Sequence, residues 1–185
     1  MKYVVTGATS FLGRELVSRL LQDGHEVVAV CRPQSSALAD IPLGVEVVLA
    51  DMSDYGGLYR DVPEADVWVN LAWEGTGHDG RNQEEVQQAN VIHTIAAMFG
   101  ADKMGCRLFV EAGSQAEYGT VLTPISEQTP CNPFSAYGKA KFRLGWEPRT
   151  DIDTCCQLTA DWYRRYRTED VYQLCVEQIK TFLGY

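Results

Sequence analysis

No stretch of this chain approaches the roughly 20 uninterrupted apolar residues that a helix needs to cross a bilayer, so no membrane-spanning helix is expected. A charged leader followed by an apolar core is also missing at the start, where MKYVVTGATS runs straight into a β-rich stretch. The expectation is a cytoplasmic protein without an export signal. Positive charge is scarce: 16 lysines and arginines stand against 25 acidic residues, a net charge of −9. That balance argues against a nucleic-acid partner, which needs a basic face, and leaves room only for a local basic pocket. The six cysteines (Cys31, Cys106, Cys131, Cys155, Cys156 and Cys175) include no CxxC pair, and His25, His78 and His93 share no zinc pattern with them. Reduced thiols at structural positions, and no metal, follow from that spacing. No internal repeat or low-complexity linker divides the chain.

What is present is an alternation. Apolar, β-rich runs at 2–6, 26–31, 45–50, 66–72 and 107–112 read as strands, the later ones suited to burial on both faces. Helical patterns lie between them: Leu12, Leu16 and Leu20 recur over 11–22 with Gly24 as a stop, and a longer helix runs from about 82 to 99, ended near Gly100 to Gly105. Strands alternating with helices imply right-handed crossovers. The expected class is therefore α/β, a Rossmann-like doubly wound parallel sheet of about five strands with a short helical C-terminal segment. In that segment Leu158, Trp162 and Tyr166 are spaced as one helix. Val171, Leu174, Cys175, Ile179 and Leu183 are spaced as another, with Thr168 as the N-cap between them. The proline-rich stretch 124–133 reads as a surface loop leading into a helix from 135.

The turn after the first strand, TGATSFLG (residues 6–13), is glycine-rich and opens a helix, the arrangement that lets a helix N-terminus face a pyrophosphate. Gly7, Thr9, Ser10, Phe11, Leu12 and Gly13 are the cofactor-binding candidates there. Ser10 occupies the middle position where a glycine normally allows closest approach, so its Cβ narrows the turn while its hydroxyl can donate to a phosphate. After the second strand the chain reads VAVCRPQSS, with Arg32 and no acid. An acid at this point selects a ribose 2′-hydroxyl, whereas an arginine accommodates a 2′-phosphate, so NADP is expected over NAD. In ADMSD, Asp51 and Met52 stand where an adenine edge would lie.

Tyr137 and Lys141 are spaced i, i+4 and share one helix face. An ammonium one turn away favours the phenolate form of a tyrosine and suits it to proton shuttling. Ser114, at the end of the fifth strand, can hydrogen-bond a substrate oxygen while Tyr137 exchanges its proton and a hydride moves to or from a nicotinamide.

TGATSFLG, ADMSD, NLAW, NVIHT, GSQAEYG and the E-x₂-P-x₂-PFSAYGKAK run from Glu127 to Lys141 occur in order over residues 1–142. Together they resemble the extended short-chain dehydrogenase/reductase family, the NAD(P)-dependent nucleotide-sugar epimerases, dehydratases and reductases. That resemblance implies Ser114, Tyr137 and Lys141 as catalytic residues. It also implies Leu71, Ala72, Trp73, Asn90, Tyr137 and Lys141 as cofactor contacts, with His93 replacing the usual glycine of NVxGT. It further implies a nucleotide-sugar substrate and a homodimer built on the helices at about 82–99 and from 135. Dehydratases of the family carry an Asp-Glu pair after the catalytic hydroxyl residue. Here Gln115 and Ala116 stand there, so epimerase or keto-sugar reductase chemistry fits better, and Glu117 is expected to be structural.

RLGWEPRTDIDTCCQLTADWYRRY resembles the family's C-terminal segment, yet it follows the catalytic helix almost at once. The block expected between them, which carries most of the substrate lobe, is missing, with the junction in residues 142–145. The expected division is a dinucleotide-binding domain over 1–142 and a helical remnant of the substrate-binding segment over 143–185. Three readings stay open: part of a complete enzyme, an internally shortened chain that binds cofactor without turnover, or an interaction module on the same scaffold with the fifth strand as a free edge.

Overall fold

A computed structural model describes residues 1–126, 128–144 and 152–183. Glu127 and most of the LGWEP run lie outside the described residues. Five runs rich in valine form the strands β1 (Lys2–Thr6), β2 (Glu26–Cys31), β3 (Glu46–Leu49), β4 (Val67–Asn70) and β5 (Leu108–Glu111). They pair in parallel in the order β3-β2-β1-β4-β5, the expected doubly wound sheet. Strand order reverses between β1 and β4, and a ligand crevice in such sheets lies beyond the carboxyl ends at that point. The register places Val30, Thr6, Asn70 and Glu111 side by side along the carboxyl edge. Because neighbouring partners in a sheet project to the same face, this row aims one set of side chains at one layer.

That layer consists of the 3₁₀ segment Met52–Arg60 and the helix α2 (Glu84–Lys103). Val4, Val28 and Trp68 of the sheet pack there against Tyr55, Leu58, Ala97 and Ala101. Tyr55 meets Trp68 edge to face at 6.1 Å between centroids, a geometry worth about 1 kcal/mol beyond the area buried. The opposite face is covered by the helix α1 (Phe11–Gln22), whose Val17 and Leu20 pack on Val5, Val27, Ala29 and Val69. The inward stripe of α1 is Gly13, Val17 and Leu20, with Leu16 at its margin. Leu12 belongs to the first turn, which projects past the sheet, and is 61% exposed.

The long helix, expected from about 82 to 99 and ended near Gly100 to Gly105, spans Glu84–Lys103, and Gly105 (φ +77°) supplies the left-handed turn after it. Gly100 sits inside α2 because a Cβ there would lie 2.6 Å from the Tyr55 carbonyl oxygen, so the glycine lets α2 approach the Met52–Arg60 segment. Two expectations need correction. The outer strands are not buried on both faces. On β3, Val47 and Leu49 are 43% and 53% exposed, and on β5 Leu108 is 54% exposed, because each is a sheet edge with only part of a layer over it. Nor does Thr168 cap the last helix. Its hydroxyl donates back to the Arg165 carbonyl, while Asp170 accepts from the Gln173 N–H at 3.0 Å and starts α5 (Val171–Leu183). The preceding helix, α4 (Ile152–Arg165), joins α5 through a bond from Gln178 Nε2 to the Leu158 carbonyl and an exposed Arg165–Glu177 ion pair. Among the described residues, no helix is long and apolar enough to cross a membrane.

Gly100 gives a prediction with an unusual sign. In an ordinary helix interior Gly→Ala adds about 1 kcal/mol of stability; Gly100→Ala is expected to lose about 1–3 kcal/mol, because backbone must shift to admit the methyl group. Urea unfolding midpoints decide the sign, and a stabilised variant contradicts the close approach.

Candidate functional site

The crevice is built from turns that leave the carboxyl ends of the strands. Gly7 follows β1 with φ +68°, and a Cβ there would meet the Leu71–Ala72 backbone at 2.8–2.9 Å. A Cβ on Gly13 would overlap the Gly7 carbonyl. These two glycines draw the turn, the start of α1 and the exit of β4 into contact. Ser10 is also the N-cap of α1, its Oγ accepting from Gly13 N at 3.0 Å. Its hydroxyl hydrogen is still available. The first-turn N–H groups of Phe11 and Leu12 have no acceptor among the described residues, so the helix N-terminus presents donors and partial positive charge to the crevice.

A cavity of about 810 Å³ opens there. Of the residues expected to contact a cofactor, Gly7, Thr9, Ser10, Arg32, Asp51, Met52, Leu71, Ala72 and Trp73 line it. Phe11, Leu12, Gly13, Asn90, Tyr137 and Lys141 do not, nor does Ser114. Gly13 acts by close packing, and Phe11 stands 76% exposed at the mouth of the helix. The lining also includes Ser35, Ser36 and His93, which were not expected as contacts. Ser35 Oγ donates to Thr9 Oγ1 at 3.4 Å, tying the Arg32 loop to the glycine turn.

Asn90 serves the crevice wall from behind. Its side chain accepts from Glu74 N at 3.0 Å and donates to the Glu74 carbonyl at 2.9 Å. Gln87, one turn earlier on α2, accepts from Trp73 Nε1 at 2.8 Å and donates to the Gly75 and Gly80 carbonyls. Two buried amides thus fold the segment 73–80 and fix Trp73. Gln87 was missed, although Gln87, Asn90 and Thr94 recur at i, i+3, i+7, which marks a polar stripe on one helix face.

Trp73 brings the remaining residues together. Tyr137 packs edge-on against its ring at 6.0 Å, and Lys141 Nζ lies 3.6 Å from the ring centroid. Both belong to the short helix α3 (Ala136–Phe142), capped by Ser135 through its bond from Gly138 N. A Cβ on Gly138 would overlap the Ala116 carbonyl, so the glycine lets α3 back directly onto the turn that carries Ser114. The guanidinium of Arg81 lies over the Tyr137 ring, 4.6 Å from its centroid. Lys141, whose side chain is 4% exposed, pairs with Glu111 at 2.6 Å. Burial pulls the lysine below its ordinary range and pushes Glu111 above its own, with their mutual attraction opposing both shifts.

Ser114 and Glu117 cap one another: Ser114 Oγ accepts from Ala116 N, and Glu117 Oε1 accepts from Ser114 N at 2.6 Å. Glu117 is fully buried, and its Oε2 has no partner among the described residues. Burial raises its carboxyl above the usual range. Among the described residues, no group of His, Cys, Asp and Glu could hold a metal ion.

The profile of the NAD dependent epimerase/dehydratase family matches residues 3–149. A dTDP-6-deoxy-L-talose 4-dehydrogenase (NAD(+)) from Aggregatibacter actinomycetemcomitans is 28% identical over 168 residues, covering 90% of this chain and 61% of the relative. A UDP-glucose 4-epimerase from Mycolicibacterium smegmatis is 31% identical over 150 residues, 76% of this chain and 48% of the relative. Among solved structures, a UDP-galactose 4-epimerase superposes with a TM-score of 0.69 at 30% identity, covering 77% of this chain and 48% of that one. The chain therefore spans about half to three-fifths of the length of these relatives.

The buried Glu117 carboxyl sets a pH dependence. With its folded pKa raised above the unfolded value near 4.5, the stability it contributes is fully present below that value. That stability is lost as pH rises through the folded pKa. Glu117→Gln keeps an oxygen for Ser114 N and cannot ionise, so the variant is expected to gain stability relative to the parent as pH climbs from 4 to 7. Parallel pH–stability curves for the two proteins contradict the assignment.

Proposed function

From its membership of the NAD dependent epimerase/dehydratase family, to which this chain belongs, we infer that the chain binds a nicotinamide dinucleotide in the crevice at the strand-order reversal and directs hydride chemistry at a nucleotide-sugar carbinol or ketone. The observation that carries the inference is the pairing of a glycine-built helix N-terminus with an 810 Å³ cavity running along the carboxyl ends of β1, β2 and β4. The site fits the cofactor physically: side chains at Gly7 and Gly13 would fill the turn, and the free N–H groups of α1 suit a pyrophosphate. Arg32, with Ser35 and Ser36 beside it and no acid at the end of β2, favours the 2′-phosphate of NADP. When bound, the nicotinamide supplies the hydride acceptor or donor.

The chain's own groups supply the rest. Ser114, fixed by the reciprocal cap with Glu117, offers a hydroxyl to the sugar oxygen. Tyr137, walled by Trp73 and Arg81, takes the proton from that oxygen on oxidation or returns it on reduction. Lys141 keeps a positive charge behind the tyrosine. Gln115 and Ala116 supply no acid–base pair for eliminating water, which favours epimerase or reductase chemistry over dehydration. A second reading, cofactor binding without turnover, is favoured by a specific fact: the match covers only 48% of the length of these relatives. Positioning a sugar carbon within about 3–3.5 Å of its hydride partner needs residues beyond this scaffold. On either reading we assign residues 1–142 to the dinucleotide-binding domain and 143–185 to a remnant of the substrate-binding segment, of which α4 and α5 are the described helices.

The outer face of α2 supports association of two copies. Ile92, Ile95, Met98 and Phe99 are 43–68% exposed there, and Phe142, the last residue of α3, is 45% exposed. An apolar stripe of this kind is unusual on a monomer. Sedimentation at micromolar concentration is expected to show a dimer that Phe99→Glu dissociates; a monomeric parent protein contradicts the assignment.

Titrating NADPH and NADH against the parent chain and Arg32→Ala tests the cofactor assignment. The parent is expected to prefer NADPH by about tenfold, equivalent to about 1.4 kcal/mol, and Arg32→Ala to lose that preference. Equal affinities in both proteins overturn it. Adding UDP- and dTDP-sugars to the cofactor-loaded chain, with nicotinamide absorbance and product sugar followed, separates the two functional readings. Turnover that Tyr137→Phe abolishes supports the enzyme, and binding without turnover supports the cofactor-binding module.

A further inference from the structure

The charged partner of Lys141 is a residue that sequence reasoning did not single out. Lys141 Nζ donates to Glu111 Oε1 at 2.6 Å and to the Ala112 carbonyl at 2.7 Å, and faces the Trp73 ring at 3.6 Å. Two oxygens and one π face account for all three of its N–H donors. Glu111 is held just as closely from the other side. Its Oε2 accepts from Asn70 Nδ2 at 2.6 Å, and Asn70 Oδ1 accepts from Thr6 Oγ1 at 2.6 Å. Thr6, Asn70 and Glu111 are register partners on three adjacent strands. Sheet pairing itself therefore sets the carboxylate in place.

A carboxylate on a partly covered strand end has a cost that only pairing offsets. An apolar residue at 111 would suit the layer, which already holds Phe109 from the same face of β5. With an apolar residue there, however, the lysine would be a nearly buried cation without a counter-ion. Such a cation sheds its proton or turns toward water.

We propose that Glu111 is a positioning residue of the dinucleotide site, the counter-ion that holds the Lys141 ammonium charged and in one place beside Tyr137. This rests on reading the crevice as a dinucleotide site. Glu111 touches neither the cavity nor Tyr137 and acts through the lysine alone. The other titratable groups nearby are Glu117 from the turn after β5, which acts on Lys141 directly, Tyr137 on α3 itself, and Arg81 from the segment before α2, which lies over the Tyr137 ring. All three are unchanged in the variants below.

The test is a double-mutant cycle on cofactor affinity, by fluorescence titration of NADPH into the full chain, Glu111→Gln, Lys141→Met and the double variant, with thermal melts confirming that each is folded. Glu111→Gln is expected to weaken binding about tenfold in the parent and by less than about twofold in the Lys141→Met background. Parent-like binding by Glu111→Gln, or an undiminished effect without the lysine, overturns the proposal; a general structural role gives the latter. If the parent binds no cofactor, the dinucleotide reading fails separately, and carboxyl ¹³C NMR still decides the pairing. The Glu111 resonance is then expected to titrate about one pH unit higher in Lys141→Met than in the parent, and coincident titrations overturn the assignment. The same NMR comparison decides the matter if Glu111→Gln does not fold.

Discussion

The parallel register along the carboxyl edge of the sheet is the constraint on which the rest depends. Thr6, Asn70 and Glu111 fall side by side on β1, β4 and β5, and their side chains join in one hydrogen-bonded line. A slip of one residue in any strand would send its member of the line to the opposite face. The line runs beneath the layer formed by α2 and α3, and its outer end meets Lys141. The same edge carries the turns that build the crevice, so one register positions the glycine turn and the lysine together.

Above that edge, close backbone approach does most of the shaping. Gly7 and Gly13 bring the first turn against the exit of β4, Gly100 lets α2 settle on the Met52–Arg60 segment, and Gly138 brings α3 onto the Ser114 turn. Buried polar groups then fix what the glycines bring near. Gln87 and Asn90 satisfy the carbonyls and N–H groups of the 73–80 segment from within α2, which spares that segment the cost of unpaired backbone. Trp73 is the shared result: its indole nitrogen is held by Gln87, its ring meets Tyr137 at a right angle and its face meets Lys141.

Much of this was legible in the sequence because it follows from local rules. The valine-rich runs and their alternation with helices specify a parallel sheet, and TGATSFLG marks the first strand–helix turn, whose Gly7, Thr9 and Ser10 line the cavity. Tyr137 and Lys141 share a face by spacing alone. Partnerships between distant segments were not legible. Glu111 ends a strand as an isolated acid, and nothing local says that it meets a lysine 30 residues later. Gln87 lay in a helix whose apolar residues face outward, so the usual inward stripe was inverted: small and polar residues are buried, while Ile92, Ile95, Met98 and Phe99 are exposed. The edge positions of β3 and β5 also escaped, since an apolar run reads the same whether its neighbour is a strand or solvent.

This chain spans about half the length of its relatives, and on the proposed reading the residues that would bind a cofactor and those that would handle a proton hang on the same sheet edge. The central claim is that this edge is an assembled dinucleotide site in the chain as it stands. Amide hydrogen exchange with and without NADP tests it most directly. The account predicts slower exchange on addition of the dinucleotide at residues 7–14, 32–37, 51–53 and 71–77, with α4 and α5 unchanged. Unaltered exchange across those four segments, or protection confined to the C-terminal helices, contradicts it.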